Sequence, residues 1–221
     1  MVYIVKTMIE NYEHIIWDWN GTIFNDVDLS VSLINDLLAK YGLNRITRME
    51  YLNYFTMPVK EYYARLGFDF SKYSFEIVGR EWMDEYERRK FESGLYDGIK
   101  EILAKINSLN IGQSILSAYS QHTLDEMVDH YGLRSYFNFV FGLDNIYAAS
   151  KMHQGKKLME KLGNGKVLLI GDMIHDLEVA NEIGADCLLL ASGHQSYEKL
   201  NSLSAGFSNF KILPSINLLF A

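Results

Sequence analysis

The stretch 14–22, His-Ile-Ile-Trp-Asp-Trp-Asn-Gly-Thr, limits the folds open to this chain more than any other. Residues 15–17 are apolar, too few for a helix, and read as a short buried strand. The run stops on Asp18, and Asn20-Gly21 then marks a sharp turn. In open α/β sheets, ligands bind beyond the carboxyl ends of the strands. An acid at such a point is held rigidly and still meets solvent.

Downstream the pattern changes twice. Val27, Val31, Ile34, Leu38 and Tyr41 recur on one helical face, and Gly42 stops it. Thr47, with Glu50 three residues on, predicts an N-cap for a helix over 48–55. Pro58 suits the first turn of another helix ending near Gly67. Residues 71–91 read as a longer helix with a Phe75, Val78, Trp82, Tyr86 stripe, supported by the pairs Asp84–Arg88 and Glu85–Arg89. From Gly94 helices alternate with strand-sized runs at 112–119, 137–143, 166–171 and 185–191, with a further edge at 211–213. This rhythm predicts an α/β fold, a doubly wound parallel sheet with helices on both faces. Residues 1–26 and 94–221 would form the core, and 27–93 a helical insertion above its carboxyl edge.

A chain of 221 residues suits one domain, or a core with a modest insertion. A net charge of −7 argues against nucleic acid or an anionic membrane as partner. No run reaches transmembrane length, and residues 1–9 lack a basic leader and a small-residue cleavage site. A single cysteine, Cys187, excludes an intrachain disulfide and fits a reducing cytosol, so a cytoplasmic location is expected. The expected assembly is a monomer or homodimer. Cys187 itself sits in an apolar strand and reads as inert core.

Four features fall where the expected strands end: Asp18, Ser117, Lys151 at the start of the following helix, and Gly171-Asp172-Met173-Ile174-His175-Asp176. Alone, each has a bland reading as a helix cap, a solvated charge or turn chemistry. All four on one edge, in order, point to a site. Together they resemble the motifs of haloacid-dehalogenase-superfamily hydrolases, most closely the phosphoglycolate-phosphatase-like branch with a helical cap. The resemblance covers nearly the whole chain beyond its first dozen residues. It implies that Asp18 attacks phosphorus and forms an aspartyl-phosphate. Mg²⁺ would be held by Asp18, Asp172 and the main-chain oxygen of Asn20, with Asp176 ordering a water behind it. Ser117 and Lys151 would grip the phosphoryl oxygens, and amides at Gly21, Thr22 and Ala118 would add donors. Lys156 or Lys157, one turn on, are alternative sources of the cation. The partner would be a small phosphorylated metabolite.

The sequence departs from that pattern at Asn20, where the phosphatases resembled carry an acid–base aspartate. A carboxamide cannot exchange a proton in that way, and such a loss costs about 10²–10⁴-fold in rate. Three readings follow. One is a phosphatase of restricted turnover that needs a good leaving group or a proton from elsewhere, with His175 or a residue of the insertion the place to look. The second is a phosphonatase-like carbon–phosphorus hydrolase using Lys60 of the insertion. The third is a non-catalytic phosphometabolite-binding module. On the first, Asn20→Asp is expected to raise turnover or leave it unchanged. Lys60, Tyr62, Tyr63 and Arg65 are candidates for the cavity wall. Trp17 and Trp19 alternate away from Asp18 and read as packing. Gly193-His194-Gln195-Ser196 follows the fifth strand and so falls on the active edge, open to contact with substrate or a partner, with a loop leading into a final helix as the plainer reading.

Overall fold

Residues 167–171 are apolar at every position because the strand they form is covered on both sides. The computed structural model describes residues 9–143 and 151–220. Strand β1 (His14–Trp17) is followed by a two-residue strand β2 (Phe24–Asn25), helices α1 (Val27–Lys40), α2 (Arg48–Tyr54), α3 (Val59–Arg65) and α4 (Phe75–Arg89), and a second short strand β3 (Gly94–Leu95). Strict alternation follows: α5 (Ile99–Ser108), β4 (Gly112–Ser120), α6 (Gln121–His130), β5 (Phe139–Leu143), α7 (Lys151–Leu162), β6 (Val167–Gly171), α8 (Ile174–Ile183), β7 (Asp186–Leu190), α9 (Tyr197–Leu203) and β8 (Phe210–Leu213).

Six of these strands form one parallel sheet in the order β5-β4-β1-β6-β7-β8. The chain runs outward from β1 through β4 to β5, then returns to β6 on the other flank of β1. That reversal opens a crevice at the carboxyl end of β1. Alternation along the strands feeds two apolar layers. Trp17, Ile115, Leu168 and Ile170 pack with Leu103, Leu124 and Met127 of α5 and α6. Ile16, Leu116, Leu169 and Leu189 pack on the other face with Leu158, Leu177 and Leu200 of α7, α8 and α9. Each fully buried aliphatic side chain contributes about 1.5–3 kcal/mol. Trp17 and Trp19 are fully buried, and Cys187 is buried with its thiol pushed well above the ordinary range by burial.

The four helices of the insertion build a core of their own around Ile34, Leu38, Tyr51, Tyr62 and Val78. Its two ends are tied by the antiparallel pair β2–β3, with Phe24 opposite Leu95 and Asn25 opposite Gly94. The capping box expected at Thr47 is formed: its hydroxyl accepts from the Glu50 N–H, and the Glu50 carboxylate accepts from the Thr47 N–H. Three details differ from the sequence reading. Helix α4 begins at Phe75, because Asp69 captures the N–H and hydroxyl of Ser71 and Ser74 becomes the cap. Arg88 pairs with Glu85, and Arg89 with Glu92 and Asp36, three residues away or across to α1, instead of four residues back. Strand β5 starts at Phe139, since residues 134–136 make a helical turn. Among the described residues no helix is long and apolar enough to cross a membrane.

Candidate active site

Strand register brings the candidate acids together. Trp17 stands level with Ile115 on one neighbour and Ile170 on the other. Asp18, Ser117 and Asp172 therefore follow within two residues of one level, at the same edge. Carboxylate oxygens of Asp18, Asp172 and Asp176 lie within 4.8 Å of one another. Lys151, at the first turn of α7, bridges two of them, with Nζ 2.5 Å from Asp18 Oδ1 and 2.6 Å from Asp176 Oδ1. The other Asp176 oxygen accepts the N–H groups of Asp172 and Met173 at 3.0 and 2.9 Å. Asp172 accepts from the Thr22 hydroxyl at 3.2 Å and from the His194 N–H at 2.6 Å.

The electrostatics follow from three buried carboxylates meeting one ammonium. Burial pushes the Asp18 carboxyl up to about 6, with Lys151 opposing and Asp176 adding to the shift. Burial drives Asp172 well above the ordinary carboxylate range, against His194 and with the charges of Asp18 and Asp176 behind it. Burial also works against the charge on Lys151, but Asp176 and Asp18 outweigh it and keep the ammonium protonated. Uncompensated negative charge on an all-oxygen donor set suits a hard divalent cation. The cradle is shaped closely: a Cβ at Gly21 or Gly193 would overlap the Asp172 carboxylate. Gly21 also holds a φ of +73°, open to glycine at little steric expense.

Beside this cradle lies a second buried network, of which the sequence reading placed only loop 193–196 at this edge. After the Asn20-Gly21 turn the chain doubles back, and Asp26 returns beneath the turn. Asp26 Oδ1 accepts the Gly21 N–H at 3.1 Å and lies 3.2 Å from His194 Nε2. Asp26 Oδ2 accepts from Asn20 Nδ2 at 2.9 Å and from the Tyr86 hydroxyl at 2.7 Å. Asn20 Nδ2 also donates to the Tyr86 oxygen at 2.7 Å. The ring of His194 reaches the Tyr51 hydroxyl through Nδ1 at 2.9 Å. Burial alone would discharge both partners. Instead His194, with donors from Tyr86 and Asn20, holds the Asp26 carboxyl below its ordinary value, and Asp26 holds His194 up at about 9. Nothing in the periodicity marks Asp26 or His194. The only signal available was that each is a polar residue close to a strand end.

Most of the candidate residues meet here, but several expectations need correction. Ser117 does not end its strand: β4 continues to Ser120, and its register with β5 shifts between Leu116 and Ser120. Ser117 Oγ accepts the Tyr119 N–H at 3.1 Å. The amides of Gly21 and Thr22 are turned inward, to Phe24 and Asp26 and to the Trp19 carbonyl, so they are not free to hold a phosphate. Lys156 is exposed and pairs with Glu182, which removes it as the site's cation. Lys60 is exposed and lies over the rings of Phe70 and Phe75, outside the cavity, which deprives the carbon–phosphorus reading of its lysine. Tyr62 and Tyr63 belong to the core of the insertion, and Arg65 stacks on Tyr54. His175 does line the cavity, with Nδ1 3.1 Å from Glu178. Loop 193–196 leads into α9 as expected, yet it also touches the cradle through His194.

These residues surround a cavity of about 280 Å³ between the sheet edge and the insertion, with Asp18, Ser117 and Lys151 at its floor. Residues 15–190 match the model of the haloacid dehalogenase-like hydrolase family. The chain belongs to this family. Among characterised relatives it is similar to a phosphoglycolate phosphatase from Synechococcus elongatus, 22% identical over 84% of this chain and 87% of that one. A 5'-nucleotidase from Pseudomonas aeruginosa is 24% identical over 86% of this chain and 88% of that one. The fold is shared with the crystal structure of a predicted phosphatase from Clostridium acetobutylicum, with a TM-score of 0.75, 20% identity and coverage of 95% and 96%. As a member of the haloacid dehalogenase-like hydrolases, the chain carries an acid at the expected strand tip and an asparagine two residues on.

Proposed function

We propose that this chain is a Mg²⁺-dependent phosphatase that hydrolyses a small phosphomonoester through an aspartyl-phosphate on Asp18. The reading is carried by one observation: a buried carboxylate at the tip of β1 whose oxygen lies beside both an ammonium and two further acids. The phosphatase names of its relatives support the same chemistry. Asp18 would attack phosphorus with one carboxylate oxygen, and hydrolysis of the acyl phosphate would return it. Lys151 and the Ser117 hydroxyl would bind the phosphoryl oxygens as charge builds on them. Asp18, Asp172 and the main-chain oxygen of Asn20 would hold Mg²⁺, which when bound offsets the repulsion between carboxylate and phosphate. Asp176 would fix the positions of Lys151 and the 172–173 backbone. Residues 27–93 would serve as the cap that excludes water and selects the substrate.

Asn20 is the reason to keep a binding-only reading in view, because both of its N–H groups are committed to Asp26 and Tyr86. A phosphate-release panel with Mg²⁺ separates the two. Turnover in the wild type that falls by at least about 10³-fold in Asp18→Asn, with an unchanged circular dichroism spectrum, supports the phosphatase. Tight Mg²⁺-dependent binding of a phosphometabolite with no phosphate released from any ester would reject it.

A further inference from the structure

The wall of the cavity opposite the floor is built by the insertion, and its chemistry is one-sided. Phe55, Met57, Val59, Trp82 and Met83 face the space from that side. Phe55 and Trp82 offer ring surfaces, each stacked on a tyrosine that also lines the space, Tyr51 and Tyr86, at 5.2 and 5.0 Å. Met57 and Met83 remain 39% and 37% exposed. The hydroxyls of those two tyrosines are spent on His194 and Asp26. Among the described lining residues, Lys151 is bound to Asp18 and Asp176, His194 to Asp26, and His175 faces Glu178. No cation is left on the insertion side for a second anionic group. A carboxylate placed against this wall would lose its water without gaining a partner. An uncharged ring would gain apolar and stacking contacts.

Size narrows the choice. A cavity of about 280 Å³ falls just below the usual range for ligand sites, about 300–1,000 Å³. It accommodates a phosphoryl group and a single ring better than a nucleoside. The second constraint comes from Asn20, whose amide is locked and has no proton to give a departing oxygen. An alkanol leaves poorly without one, whereas a phenol, with a pKa of about 10 as in tyrosine, leaves as its anion.

We infer that the substrate is an aryl monophosphate, the phosphate ester of a small, uncharged single-ring phenol. This rests on the phosphatase reading above and deepens it. In the reaction an Asp18 carboxylate oxygen forms a bond to phosphorus, and the phosphorus–aryl oxygen bond breaks with its electron pair leaving on the phenolate. Water then attacks the acyl phosphate, freeing the carboxylate and inorganic phosphate. The proton lost from that water goes to solvent, from which the phenolate takes one.

The test compares phenyl phosphate, phosphoglycolate and glycerol 1-phosphate with Mg²⁺ present, and measures binding of phenylphosphonate and phosphonoacetate by calorimetry. Phenyl phosphate should exceed phosphoglycolate in kcat/KM by about 100-fold, the discrimination that mismatched groups in an apolar pocket produce. Phenylphosphonate should bind more tightly than phosphonoacetate. Met83→Arg, which adds a cation at the exposed rim, should cut the phenyl preference by about 10-fold or more. A preference for phosphoglycolate or glycerol 1-phosphate, or a ratio untouched by Met83→Arg, overturns the inference and leaves the phosphatase reading standing. No phosphate release from any ester overturns the phosphatase reading. In that case selective binding of phenylphosphonate still upholds the aryl-selective pocket, and equal or weaker binding removes it as well.

Discussion

Asparagine at position 20 and aspartate at position 26 work as one unit. The Asn20 amide donates to Asp26 at 2.9 Å, and Tyr86 closes the triangle. The expectation that Asn20→Asp raises turnover or leaves it unchanged therefore needs revision. A second carboxylate at that distance cannot be ionised beside the first, so the single variant is expected to lose thermal stability and gain no activity. Asp26→Asn in the same chain removes the clash. The double variant should then exceed wild-type turnover on an alkyl ester by on the order of 100-fold, the share of a general acid. Rates and melting temperatures of the two single variants and the double complete a cycle. A gain in Asn20→Asp alone as large as in the double would show that Asp26 does not control position 20.

Strand β1 places opposite demands on its two ends. Its carboxyl end sets Asp18 at the cavity beneath the insertion, while its amino end buries His14 against the Ser114 hydroxyl at 2.8 Å. Burial lowers the His14 pKa from the usual 6.5 to about 4. The unfolded chain therefore binds the proton first. The contribution of neutral His14 is complete above pH 6.5 and is lost progressively as pH falls from there toward 4. Melting temperature measured from pH 7.5 to 4.5 should fall more steeply in the wild type than in His14→Gln. Parallel curves would mean that His14 is protonated as easily in the folded protein as in the unfolded chain.

At the scale of the whole molecule, the insertion sits closed on the sheet edge through a small set of polar contacts. Phe55 O at the end of α2 accepts from Gln195 and Lys199, the Ser196 hydroxyl donates to Asn53, and Tyr51 and Tyr86 meet His194 and Asp26. At the far end of α4, Lys90 pairs with Glu126 of α6 at 2.6 Å. The acids beneath the insertion repel one another, so a cation that binds only the folded chain must stabilise it. At 100 times its dissociation constant, Mg²⁺ would add about 2.7 kcal/mol. For a chain of this size that raises the melting temperature by roughly 5–10 °C. Calorimetric scans with Mg²⁺ and with EDTA should show the rise in the wild type and none in Asp172→Ala. An equal rise in both would place the ion elsewhere.

Local pattern alone determined the class of fold, the order of its elements and the acids at the strand tips. Burial of a strand on one or two faces leaves a mark at every residue, and parallel strands put all their carboxyl ends on one edge. The meeting of Asp18, Asp172 and Asp176 at one edge was legible for that reason, whereas Ser117, which its strand runs past, and Lys151 stood out only through the motif resemblance. The link between Asp26, Tyr86 and His194 was not, because 60 residues separate Asp26 from Tyr86 and 168 separate it from His194. Their partnership depends on how the turn after Asp18 folds back and how the insertion settles on the sheet. The inward turn of the Gly21 and Thr22 amides and the apolar character of the cavity wall were likewise decided by packing. A polar group's partner, unlike an apolar residue's face, is set by three-dimensional proximity and leaves no periodic trace.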